Sequence, residues 1–258
     1  MKRAALALVL LFAALAGAKE APRVIHVFVA LADNDNQGIV KISRTLGNGE
    51  DAQRNVYWGS AYGVKTFFQR SPEWQLVVSV ASPRDAVLER VVFKHRQAEV
   101  YLVADAFRGR EIKQAITEFL HSAAGALPQK VTVKVGGRDI ALAAGGDAQV
   151  LAYIGHNGLM DFSLASFPAQ RNGRARKAII LACASKQYST SALRATGAEP
   201  LLWTTNLMAP EAYTLKAALE GWIAGESDAQ LRERGALAYD KYQKCGVKAA
   251  RRLLVTGW

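Results

Sequence analysis

Five apolar runs that do not alternate constrain this chain more than any other feature of it. They are "VIHVFVALA" from Val24, "AEVYLVADAF" from Ala98, "QVLAYIG" from Gln149, "KAIILAC" from Lys177 and "EPLLWTTNL" from Glu199. A strand with one wet face alternates apolar and polar residues; a strand covered on both faces does not. Helical spacing separates the runs. It is clearest over Glu111–Ala124, where Ile112, Ala115, Ile116, Phe119 and Leu120 share one face. Further helices are predicted over Lys186–Ala195, Ala209–Ala224 and Ser227–Lys244. The expected fold is α/β, a doubly wound and mostly parallel sheet flanked by helices. Other expected elements are an aromatic-faced helix over Val56–Phe68, whose aromatics either fill the core or line a substrate cleft, a strand over Gln75–Val80, and a strand "LERVVFKHR" pairing with the run from Ala98. "KVTVKVGGRDIALAAGG" around Gly136-Gly137 adds a β-hairpin.

The 258 residues suffice for one large core, and no linker divides them. Residues 1–18 read as a signal peptide: Lys2 and Arg3, an apolar stretch to about Ala16, then the small-residue site Ala16-Gly17-Ala18. An uncleaved anchor is the alternative. The domain is expected to span residues 19–258, in a protein that is secreted or periplasmic.

The formal charge is +11. For an exported chain this points to an anionic envelope surface rather than a specific nucleic acid. The densest basic run, Arg171–Lys177, reads either as a solvated loop or as part of such a surface, together with the C-terminal "KAARR". The loop Asp33–Asn55 is long for a compact domain, which marks it as functional or mobile. Its start resembles a calcium loop, but Arg44 stands where an EF-hand needs Glu. No metal ligand set and no cofactor fingerprint is found. Of the four histidines, His26 reads as a strand residue, and His95 and His121 as surface residues.

In an open parallel sheet, ligands bind beyond the carboxyl ends of the strands. His156 ends one apolar run and Cys183 ends the next. Gly155 and Gly158 let the chain turn outward there. A thiolate is a strong nucleophile, favoured by a nearby His⁺ or a helix N-terminus. An imidazole can protonate a leaving amine, and backbone amides near Gly158 and Cys183 can hold an oxyanion. The alternatives for Cys183 are a buried structural cysteine or a disulfide with Cys245.

"VLAYIGHNG" and "AIILACAS", in that order, resemble the caspase–legumain–gingipain superfamily of cysteine peptidases, in which one apolar strand ends in His-Gly and the next ends in Cys. The resemblance implies a caspase-like fold without a cofactor. It also implies a cysteine endopeptidase or transpeptidase acting on a peptide or protein substrate through a thioester. His156 would be the catalytic histidine, Cys183 the nucleophile and Gly158 an oxyanion-hole amide. The segment after the cysteine helix would line the substrate pocket, which makes Trp203, Asn206 and Glu211 candidates by location. If Glu211 or Asp161 lines it, a basic residue before the cut is preferred. Asn157 separates His156 from Gly158, unlike the family pattern. An inactive caspase-like binding module of the cell envelope is therefore the alternative.

Overall fold

The computed structural model describes residues 21–258; the expected signal peptide lies outside the described residues. β1 (Arg23–Ala30) sits in the middle of the sheet with β4 (Val100–Phe107) on one side and β7 (Val150–Ile154) on the other, both parallel to it. β8 (Lys177–Leu181) and β9 (Glu199–Thr204) continue the parallel set beyond β7. β2 (Trp74–Arg84) and β3 (Val87–His95) extend the β4 side antiparallel, and β10 (Leu254–Val255) closes the other edge antiparallel. Among the described residues the order is β10-β9-β8-β7-β1-β4-β3-β2.

Both faces of the sheet are covered, which is why the runs do not alternate. Ile25, Val27 and Val29 pack beneath α1 (Val64–Gln69), α4 (Ala212–Ile223), α5 (Asp228–Gln243) and α6 (Val247–Leu253). Val24, Phe28 and Ala30 pack beneath α2 (Ile112–Ala123) and α3 (Ser185–Thr196). The expected hairpin is present as β5 (Pro128–Val135) and β6 (Arg138–Gly145). Its turn residues Gly136 and Gly137 have φ of 55° and 78°, the double positive φ of a tight hairpin turn. No helix among the described residues is long and apolar enough to cross a membrane.

Two expectations fail for physical reasons. The helix expected over Val56–Phe68 shrinks to α1, because Gly59 and Gly63 let irregular turns pack backbone against backbone. A Cβ on Gly59 would lie 2.1 Å from the Gln53 carbonyl, and one on Gly63 2.4 Å from Trp58. His95 is buried rather than superficial. Its Nδ1 accepts from the Gln97 and Ala98 amides, and its Nε2 lies 3.3 Å from Glu220. The basic run is a surface loop, exposed over residues 171–175, in keeping with the solvated-loop reading, and its inner end is engaged within the chain. Arg176 is buried and donates to the Gly146 carbonyl, Arg174 pairs with Asp147, and Lys177 pairs with Glu199.

His26 carries a buried polar network on the α2 face. Its Nδ1 accepts from the Gly145 amide at 2.9 Å, so Nε2 carries the proton and faces Asp105 at 3.3 Å. Arg90 donates twice to Asp105, each bond 2.6 Å long. Burial acts to raise the Asp105 carboxyl, but the hydrogen bonds from Arg90 and His26 outweigh it and hold it well below the usual range. Burial also lowers His26, against the pull of Asp105.

Candidate functional site

The strand order reverses beside β1: the chain fills the β4 side first and then returns to place β7 on the other side. Crevices form at such a switch point, beyond the carboxyl ends of the strands. Three segments leave the sheet there. They are the Asp33–Asn55 loop after β1, the His156 turn after β7, and the Cys183 turn after β8. Together with residues 207–211 they enclose a cleft of about 510 Å³ that contains both His156 and Cys183.

The His156 turn is built from local contacts. Gly155 has φ of 147°, and a Cβ there would sit 2.7 Å from the Ala30 carbonyl. Only glycine fits this position. A single 3₁₀ turn over Gly158–Met160 then brings Asp161 back toward the imidazole. His156 Nε2–H donates to Asp161 Oδ2 at 2.7 Å. A carboxylate only accepts, so the neutral ring carries its proton on Nε2 and its lone pair on Nδ1. The buried Tyr153 hydroxyl donates to the His156 carbonyl at 2.7 Å and braces the turn from below.

The Cys183 turn is held by Ser185 and Thr204, both fully buried. Ser185 Oγ donates to the Ile180 carbonyl at 2.8 Å and accepts from the Thr204 amide at 3.0 Å. Thr204 Oγ1 accepts from the Ser185 amide and donates to the Ala182 carbonyl. Cys183 stands directly before α3, whose N-terminal partial positive charge favours an anion. The Met208 amide donates to Cys183 Sγ at 3.5 Å. The amide of Cys183 itself meets no acceptor among the described residues, which leaves it available to an oxyanion.

Ala184, the residue after the cysteine, is left-handed at φ 48° and ψ 35°. A β-branched side chain is strained in that conformation. Ala184→Val is expected to lower stability by about 1–3 kcal/mol. Ala184→Gly should stay within about 1 kcal/mol, since relief of strain is offset by unfolded-chain entropy. Urea denaturation of the three proteins checks this; a valine variant as stable as the parent would contradict it.

The structure sorts the sequence candidates. Among the described residues both Cys183 and Cys245 are free thiols, so no disulfide removes the nucleophile. Gly158 is buried and its amide donates to the His156 carbonyl at 3.1 Å. It is therefore engaged within the turn and does not serve as an oxyanion donor in this arrangement. Asn157, the residue that departs from the family pattern, is buried and its Nδ2 donates to the Cys183 carbonyl at 2.7 Å. It ties the two turns together. Trp203 does not line the cleft: it is fully buried on the α2–α3 face and donates to the Gly257 carbonyl. Asn206 is exposed on the far side of its segment, and its Oδ1 accepts from the Leu207 amide. Glu211 does line the cleft.

One contributor escapes the sequence reading: Asp161 reads there only as a possible pocket carboxylate, although an acid five residues after a histidine needs just one tight turn to meet it. Tyr57 belongs to the aromatic, glycine-rich segment that reads either as a core helix or as a cleft lining, and it lines the cleft. Burial above all, and then Cys183 and Glu211, raise its phenol above the ordinary range. Asp33 is committed to its own turn. Its Oδ1 accepts from the Asp35 and Asn36 amides, and its Oδ2 from the Asn36 side chain. No cluster of three metal-ligating side chains occurs among the described residues.

A cysteine beside a helix N-terminus and an imidazole fixed by a carboxylate share one cleft, an arrangement able to perform acyl transfer. No family model matches this chain, and no curated protein or solved structure matches it either.

Proposed function

We propose that the chain is an exported cysteine peptidase or transpeptidase of caspase-like architecture. The observation that carries this reading is the His156–Asp161 hydrogen bond at the cleft that also holds Cys183. A base oriented by a third group, next to a nucleophile, is the general form of the activated nucleophile. The Cys183 thiolate attacks the peptide carbonyl carbon, and the C–S bond forms as the carbonyl becomes an oxyanion. Protonated His156 then gives its proton to the departing amine as the C–N bond breaks. The resulting thioester is opened by water, whose proton His156 takes, or by an acceptor amine. The leader-like N-terminus supports a secreted or periplasmic location.

The engaged amide of Gly158 favours a second reading, an envelope binding module with a caspase-like fold and no turnover.

Thiol chemistry separates the two. Cys183 is half-buried and Cys245 exposed, so simple access would make Cys245 the faster. At pH 6 the peptidase reading expects iodoacetamide to label Cys183 first, because that reading pairs the thiol with the His156 imidazole in the cleft they share. His156→Ala should erase that advantage. Peptide mapping by mass spectrometry reads the outcome, and labelling of Cys183 no faster than Cys245 supports the binding module instead.

A further inference from the structure

In a chain with 33 basic and 22 acidic side chains, the cleft beside Cys183 has no lysine or arginine in its described lining. Its walls are mostly aliphatic, from Ile39, Val40, Ile42, Val56 and Met208. Glu211 and Gln243 bring polar groups into this apolar space. Glu211 sits at the N-cap of α4, where an acidic side chain commonly accepts from its own helix. It makes no such bond. Its Oε2 instead accepts from the Tyr213 hydroxyl at 2.9 Å and from Gln243 Nε2 at 3.2 Å. Gln243 Nε2 also donates to the Tyr213 hydroxyl at 2.7 Å, which commits the amide nitrogen and fixes its orientation. Two acceptors, Glu211 Oε1 and Gln243 Oε1, are left without a donor among the described residues.

We infer that this cleft receives a side chain with an apolar stem and a cationic head, lysine or arginine, and that Glu211 is its counter-ion. The inference rests on the peptidase reading only in placing that residue next to the cut bond. The aliphatic walls suit the methylene stem of either residue. The cationic head supplies the donors that Glu211 and Gln243 lack. An apolar guest of the same length would cover both acceptors without satisfying them, which is costly. An acidic guest would face a like charge. Burial already pushes the Glu211 carboxyl up, against the hydrogen bonds from Tyr213 and Gln243. This is the behaviour of a carboxylate short of a partner.

Equilibrium binding to the Cys183→Ala protein tests this without requiring turnover. The probes are N-acetyl-Ala-Ala-Xaa methylamides with lysine, arginine, norleucine or glutamate at the last position, followed by calorimetry. The lysine or arginine peptide should bind at least about thirtyfold more tightly than norleucine, since a site built for a donor rejects the analogue lacking one. In a Cys183→Ala, Glu211→Gln background the gap should close to under about threefold. Norleucine binding as well as lysine, a gap that survives Glu211→Gln, or no cationic binding at millimolar peptide would each overturn the inference. The lysine–norleucine comparison needs no change at Glu211, so it holds even if that variant misfolds. Tight lysine binding without cleavage by the unaltered protein would count against the peptidase reading alone.

Discussion

Cys183→Ala should leave peptide turnover at background, a loss of more than about a thousandfold. His156→Ala should do the same, and the double variant should be no worse than either single one. Groups that act as a unit fail together, so their losses do not add. Asp161→Asn keeps the shape of its side chain but gives up the anionic acceptor for His156 Nε2–H. The ring then loses the partner that sets its tautomer and orientation. The expected result is a fall in kcat of about a hundredfold. Cys245→Ser should retain parental rates, because its thiol is exposed outside the cleft lining. Steady-state kinetics on a lysine-containing peptide measures all of these. Turnover that survives Cys183→Ala would end the peptidase proposal.

The second large effect is on stability. Asp105 and His26 are fully buried, and Asp105 is the shared acceptor for His26 and Arg90. Asp105→Ala leaves a mostly buried guanidinium without its anion, which should cost about 3–5 kcal/mol. Urea denaturation monitored by tryptophan fluorescence measures it; a loss below about 1 kcal/mol would show that the network is not needed. The same network shapes the acid response. His26 has its folded value held below 6.5 by burial. Below pH 6.5 the unfolded chain takes up a proton that the folded chain still refuses, so stability declines as the pH drops through that window.

Much of the architecture can be read from the sequence because burial on both faces of a sheet writes itself into successive residues. Val24 to Ala30 are apolar on both parities apart from His26, and both parities are buried. The ends of β7 and β8 were legible for the same reason: the runs stop where His156 and Cys183 begin. Which way a side chain points beyond a strand end was not legible. Trp203 belongs to a cleft-side strand, yet period two turns it to the opposite face, against the α2–α3 core. Asn206 lies within a few residues of the cleft and faces away from it. The α1 segment misled because glycines placed for tight backbone packing look, in one dimension, like tolerable interruptions of a helix. The wall supplied by Gly38 to Ile42 depends on a contact with Asp161 far along the chain, and no local pattern announces such a contact.

That contact has a thermodynamic consequence. Asp161 Oδ2 accepts from His156 Nε2 at 2.7 Å and also from the Gly38 amide at 3.0 Å. A Cβ on residue 38 would press to 2.5 Å from the same carboxylate, so the loop approaches it as closely as backbone can. One oxygen therefore sums two equilibria, the seating of a loop and the aiming of a ring. Linkage is reciprocal: whatever free energy a seated loop lends to the ring's orientation, an oriented ring returns to the seating of the loop. A guest that presses on Ile39 or Val40 acts on the imidazole through a single shared atom, and the imidazole acts back on how firmly that guest is enclosed.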